Sequence, residues 1–217
     1  MSHGLFITLE GIDGTGKSTQ LRLLVQHLKQ RGLPVRVTRE PGGTKLGERF
    51  RKILLDSKNT HLSPLAELAL MYAARAQHLE EVIRPALARG EIVVSDRYND
   101  ASLAYQGYGR KLGVEIVRAF DRVVSGRTQP DLTILLDLNP RLSLGRAADR
   151  LSQRNSNQGR FESQGLNFHR RVRRGYLAIA RKNPRRVKVV PAGGAVAEVH
   201  AKILNLIDGF LAQRLTR

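Results

Sequence analysis

The chain has 217 residues, 41% hydrophobic and 26% charged, which suits one α/β domain with a sizeable core. Its formal net charge is +18 and it has no cysteine, which excludes a disulfide framework and a thiolate metal site. No apolar run approaches the ~20 residues of a membrane span. Met1 to Gly4 lead directly into an apolar run, so no signal peptide is expected, and the lack of cysteine fits a cytoplasmic location.

Leu5-Phe6-Ile7-Thr8-Leu9 reads as a first strand. The stretch Glu10-Gly-Ile-Asp-Gly-Thr-Gly-Lys-Ser-Thr19 follows. Gly11 and Gly16 are separated by four residues, and Lys17 and Ser18 come next, the spacing of a phosphate-binding loop over 11–18. Glycines let the backbone turn sharply and bring its N–H groups to phosphate oxygens. The loop opens a helix, whose N-terminus favours anions. Lys17 reaches toward β- and γ-phosphates, and the Ser18 hydroxyl suits Mg²⁺. Gly11, Ile12, Asp13, Gly14, Thr15, Gly16, Lys17, Ser18 and Thr19 are therefore the candidate residues for a nucleoside triphosphate. Leu21, Leu24, Val25 and Leu28 then recur at helical spacing, and Gly32 stops the helix. Strand, glycine loop and helix stand in the order the motif requires.

Residues 34–38 read as a second strand, and Arg39 to Thr44 as the loop at its carboxyl end, where parallel sheets bind ligands. A helix with Leu46, Phe50, Ile53 and Leu54 inward follows. Residues 65–89 predict one long helix, kinked at Pro85 and ended by Gly90. Ile92-Val93-Val94 is a short buried strand running into Ser95-Asp96-Arg97-Tyr98. Residues 99–108 are helix or turn, and 113–125 helix. Leu132 to Leu138, nearly all apolar, suits a central parallel strand. Asn139-Pro140 starts a helix. Polar residues 149–160 read as a mobile lid, and 161–182 as a further helix. Val187 to Val190 is the last strand, Ala192-Gly193-Gly194 a loop, and 195–214 the final helix. Five strands alternating with helices predict a five-stranded parallel sheet covered on both faces, a three-layer α/β/α domain.

The charge is uneven. No acidic residue lies between Glu162 and Glu198, where nine arginines and lysines fall at 170, 171, 173, 174, 181, 182, 185, 186 and 188. Such a segment attracts polyanions, but aromatics are only 5% and no aromatic–basic interleaving marks a nucleic-acid platform. A solvated helix face is the favoured reading, with the excess on the exposed side of the helix after the lid. The alternative is an ATPase that binds nucleic acid through 170–188.

Thr38-Arg-Glu-Pro-Gly-Gly-Thr44, Asp96-Arg97-Tyr98 followed by Ser102-Leu-Ala-Tyr-Gln106, and Pro130 to Leu138 join the phosphate loop in this order. Together they resemble the thymidylate kinase family from Leu5 to about Asp208. The resemblance implies transfer of the γ-phosphoryl of Mg·ATP to dTMP by a cytoplasmic homodimer that needs no membrane or nucleic acid. Another pyrimidine nucleotide as acceptor stays open.

It also implies roles. Lys17 and the loop hold ATP phosphates and Ser18 the metal. Asp13 approaches the acceptor phosphate and Mg²⁺. Asp96 orients a metal-bound water, and Arg97 contacts phosphate. Arg75 meets the O4 edge of thymine, Ser102, Tyr105 and Gln106 surround base and deoxyribose, and Arg39 and Arg51 face the 5′-phosphate. Met71 stands where relatives stack a phenylalanine on the base. Gly14 stands where some relatives carry an arginine, which directs attention to lid arginines at 146–160: Arg146 near adenine, Arg150 for the transferring phosphate, with Arg154 and Arg160 as further candidates. Gln164 replaces an acid common in relatives, leaving Glu162 as the nearest carboxylate. Ala192 to Gly194 should receive adenine.

Overall fold

A computed structural model describes residues 4–154 and 159–215, with the side chains of 150–154 and 215 outside the description. Five strands, β1 (Leu5–Glu10), β2 (Val35–Arg39), β3 (Ile92–Asp96), β4 (Leu132–Asp137) and β5 (Val187–Pro191), form one parallel sheet in the order β2-β3-β1-β4-β5. The helices are α1 (Lys17–Gln30), α2 (Lys45–Leu55), α3 (Pro64–His78), α4 (Arg84–Ala88), α5 (Asn99–Ser102), α6 (Val114–Val124), α7 (Pro140–Arg154), α8 (Leu166–Lys182) and α9 (Val196–Leu215). β1 is central, with Ile7 opposite Val94 of β3 and Leu132 of β4. The chain departs from β1 to one side and later returns to the other, which opens a crevice at its carboxyl end.

Strand alternation decides which residues enter which layer. Ile7, Leu9, Val94, Ile134 and Leu136 pack against Leu24 and Leu28 of α1 and Ile203 and Ile207 of α9. The opposite parity faces the other layer. Phe6 and Val93 meet Leu79 and Ile83, and Leu135 meets Val172, Tyr176 and Ile179 of α8. Each such side chain taken from water stabilises the fold by roughly 2 kcal/mol. The second layer also buries polar groups: Thr8 and Thr133 share a 2.8 Å hydrogen bond, and Arg186 bridges Thr133 and Asp100 at 2.7 and 2.6 Å.

Side-chain caps open two of the helices. Thr44 accepts from Gly47 N–H at the start of α2, and Ser63 from Ala66 N–H before Pro64 opens α3. Three expectations are corrected. The helix over 65–89 is α3 and α4 joined by a π-helical turn, Leu79–Ile83; the wide turn directly before Pro85 relieves the crowding that its ring and missing N–H create. Residues 149–154 are not loop, because α7 continues to Arg154. The next helix begins at Leu166 rather than 161, after a turn ending in Gly165. Residues 155–158 of the expected lid lie outside the described residues.

Candidate active site

A cavity of about 550 Å³ opens at the carboxyl ends of β1, β2 and β3. The phosphate loop forms one wall. Asp13, Gly14, Gly16, Lys17, Ser18 and Thr19 line it, whereas Gly11, Ile12 and Thr15 support it from behind; the Thr15 hydroxyl donates to Ile12 O. Lys17 Nζ donates to Gly11 O and Ile12 O, both at 2.9 Å. Burial and the nearby Arg97 cation bring the Lys17 pKa down to about 8. Gly14 and Gly16 are both left-handed, at φ 83° and 90°, but for different reasons. A Cβ on Gly14 would stand 1.9 Å from Ser143 O of α7, so an arginine there requires α7 to move. A Cβ on Gly16 would meet nothing within 4 Å. Gly16 serves the turn and the open face, and Gly14 serves the packing of α7.

Next to the loop, Arg97 Nη2 donates to Asp13 Oδ1 at 2.7 Å and to the Tyr105 hydroxyl at 3.1 Å, and Nη1 to the Tyr176 hydroxyl at 3.1 Å. Tyr105 donates to Asp13 Oδ2 at 2.8 Å. Burial opposes ionisation of Asp13, yet Arg97, Lys17 and the Tyr105 hydroxyl outweigh it and hold the carboxyl well below the usual range. Arg97 is itself left-handed at φ 71°, which costs on the order of 1 kcal/mol or more for a residue with a side chain. Its surroundings enforce that backbone. Arg97 N–H bonds Leu9 O, and the Ser95 hydroxyl donates to Arg97 O. Beneath lies Glu10, fully buried, which accepts from Tyr98 N–H and the Tyr176 hydroxyl, each at 2.7 Å. Burial and the Asp100 charge raise the Glu10 pKa to about 8. Asp96 lines the cavity, and its Oδ1 is buried with no hydrogen-bond partner among the described residues.

The far wall is Arg75 of α3, only 2% exposed. Its guanidinium lies 4.4 Å from the Tyr72 ring centre and 5.0 Å from that of Tyr98. Glu40 accepts from Nε, and Tyr98 O and the Ser102 hydroxyl accept from Nη2. Nη1 is buried without a partner among the described residues. Met71, Tyr105, Gln106 and Phe161 complete this side. Gln106 Nε2 donates to Glu67, a fully buried carboxylate that also pairs with Arg110 and Arg160 at 3.0 and 2.7 Å. Arg39 and Arg51 reach the cavity too: Arg39 pairs with Glu48, and Arg51 donates to Pro41 O.

The arginines expected on the lid divide. Arg146 lines the cavity and donates to Ala192 O at 3.4 Å, beside the loop expected to receive adenine. Arg160 is no lid residue, because it is 5% exposed and held by Glu67 and Leu54 O. The side chains of Arg150 and Arg154 lie outside the described residues. Gln164 accepts from Arg110, and Glu162 lines the cavity. The basic segment is only partly a solvated face. Arg170, Arg174, Arg181, Lys182 and Arg185 are exposed, but Arg173 pairs with Asp137, Arg186 with Asp100, and Arg171 donates to Gly109 O. Glu10, Glu40, Glu67, His78 and Tyr176 were not singled out from the sequence. Glu40 sits inside a quoted motif, and its place at a strand's carboxyl end was the signal to follow.

A parallel sheet whose central strand feeds a glycine loop ending in Lys-Ser, facing a buried arginine across one cavity of about 550 Å³, defines a P-loop nucleotide kinase. The comparisons narrow this. The family model described as thymidylate kinase matches residues 9–203. A thymidylate kinase of Desulfosudis oleivorans is 47% identical over 206 residues, covering 94% of this chain and 96% of that one. That of Syntrophotalea carbinolica is 49% identical over 199 residues, 91% and 92% of the two chains. The crystal structure of thymidylate kinase from Ehrlichia chaffeensis superimposes with a TM-score of 0.76 at 32% identity, covering 95% of this chain and 99% of that one. The chain belongs to the thymidylate kinase family.

Proposed function

We propose that this chain transfers the γ-phosphoryl group of ATP to dTMP, giving dTDP and ADP. The observation that carries the reading is the pairing, across one cavity, of the phosphate loop with Arg75, whose Nη1 donors have no partner among the described residues. Donors at that point suit a ring carbonyl, as at C4 of thymine, and disfavour the amino group of cytosine.

Phosphoryl transfer asks the protein for position and charge rather than covalent chemistry. Lys17 and the loop N–H groups hold the donor phosphates. Arg97 meets the phosphate oxygens between donor and acceptor, and Arg39 and Arg51 the acceptor's own phosphate. The acceptor oxygen is already anionic, so no general base is needed. A carboxyl held as acidic as Asp13 is a poor base and acts by orienting Arg97. Met71, Ser102, Tyr105 and Gln106 shape the nucleoside site, Arg146 borders adenine, and Arg150 is assigned to the transferring phosphate.

Mg²⁺ belongs to this reading. Ser18 and Asp96 would hold it together with ATP oxygens, and the buried, unpartnered Asp96 Oδ1 supports the fit. Mg²⁺ supplies charge neutralisation on the phosphates. No three-acid cluster occurs among the described residues, and a cation held by one or two protein groups plus phosphates needs none. We read the chain as one domain acting in a cytoplasmic homodimer. Apolar Leu65 of α3 and Ile116 and Val123 of α6 are exposed, which supports pairing, and no described helix is long and apolar enough to cross a membrane.

A coupled ADP-release assay with Mg·ATP, offering dTMP, dUMP, UMP, dCMP and dGMP separately, tests the reading. Rapid release with dTMP and little with the others is expected. Equal release without an acceptor would make the protein an ATPase, and its retention on DNA at rising salt would then decide the nucleic-acid alternative.

A further inference from the structure

Arg75 does not hold its own position. Its Nε–H bonds Glu40 Oε2 at 2.7 Å, and behind that carboxylate lies a second residue of the same helix. His78, one turn beyond Arg75 and wholly buried, places Nδ1 3.0 Å from Glu40 Oε1. Its Nε2 lies 2.5 Å from the Thr38 hydroxyl, at the end of β2. The partners assign the ring. A carboxylate only accepts, so Nδ1 carries a proton and Nε2 meets the hydroxyl. The loop after β2 lies flat on this ring, since a Cβ on Gly43 would come within 2.5 Å of Nε2. Glu40 is therefore gripped at both oxygens by residues on one face of α3.

The geometry has a consequence for selection. A carboxylate bonded by Arg75 alone could turn about its three side-chain torsions, and the guanidinium would turn with it. With Oε1 tied to His78, the carboxylate plane is fixed, so Nε is fixed, and the direction of the Nη1 donors follows. We propose that His78, acting through Glu40, is the positioning residue that sets Arg75 for recognition of the acceptor base. The proposal rests on the reading of Arg75 as the base contact. It assigns His78 no part in phosphoryl transfer, because its side-chain partners among the described residues, Glu40 and Thr38, both lie outside the phosphate loop.

The test begins with wild-type enzyme. Failure to phosphorylate dTMP would remove the functional reading itself. With dTMP turnover in hand, two variants probe His78. An asparagine amide nitrogen stands as many bonds from Cβ as Nδ1, and a glutamine one as many as Nε2. His78→Asn keeps the donor to Glu40, and His78→Gln loses it. Loss of this charge-assisted bond predicts that His78→Gln raises KM for dTMP about tenfold and narrows the preference for dTMP over dCMP by about the same factor. KM for ATP and kcat should stay within about twofold, and His78→Asn within about threefold of wild type for dTMP. An unchanged KM for dTMP in His78→Gln, equal losses in both variants, or a parallel rise in KM for ATP would overturn the proposal. Should His78→Gln not fold, Thr38→Val removes one hydroxyl at constant volume. A rise of about threefold in KM for dTMP alone supports the proposal, and no rise overturns it.

Discussion

The loop wall and the Arg75 wall of one cavity are held by different means. The loop is contiguous, running from Gly11 to Ser18, and its shape comes from backbone: left-handed glycines, the packing of α7 on Gly14, and a lysine folded onto its own carbonyls. The Arg75 wall has no such continuity. Glu40 comes from the loop after β2, Arg75 and His78 from α3, Tyr98 and Ser102 from the segment after β3, and Glu67 with Arg110 and Arg160 stands behind Gln106. Its members are buried charges, costly unless every partner is present. A loop that must take any nucleoside triphosphate can rely on N–H groups. A wall that must choose one base needs side chains fixed at defined angles, and buried ion pairs fix them.

That contrast can be broken at either wall. The largest effect is expected from Lys17→Ala, with kcat lower by about a thousandfold and KM for dTMP little changed, because the lost cation acts on the transferring phosphates. Steady-state kinetics with varied dTMP check it.

Stability separates the two glycines. Gly16→Ala introduces only left-handed strain, about 1 kcal/mol, and should lower Tm by about 3 °C. Gly14→Ala adds the collision with Ser143 O and should lower Tm by at least about 6 °C; thermal melts of the two proteins decide it.

The pH-dependent effect concerns Glu10. Its folded-state pKa of about 8 lies above the ordinary glutamate value of 4.5, because burial and Asp100 disfavour the charge. The folded protein thus binds more protons between those values, and stability is lost as pH rises through about 8. Glu10→Gln cannot ionise, so its Tm relative to wild type should rise from pH 5 to about pH 8 and then level off. Melts across that range check the sign.

The same contrast explains what the sequence disclosed. The phosphate loop and the five strands were legible because each depends on neighbours in the chain, and the parallel pairing because helices alternate with the strands. Arg75, Arg97 and Tyr105 were reachable through resemblance. Glu67 was not, because an acidic residue at a helix start reads as solvent-facing until Arg110 and Arg160 are brought over it. Residues 149–154 misled in the opposite direction: they are polar enough for a loop, yet α7 continues through them. The π-helical turn before Pro85 has no local signature beyond the proline. Four basic residues of 170–188 read as surface charge are structural or half-buried, Arg171, Arg173, Arg186 and Lys188, since their partners lie far off in sequence or on the backbone.

The central claim is that Arg75, held by buried partners, chooses the acceptor. Arg75→Lys tests it most directly, because lysine keeps a cation for Glu40 but loses the fixed fork. The measurement is kcat/KM for dTMP over that for dCMP in both proteins. The account predicts a wild-type preference of at least about a hundredfold that falls below about tenfold in the variant. A ratio that survives the substitution would place the choice of base elsewhere in the cavity.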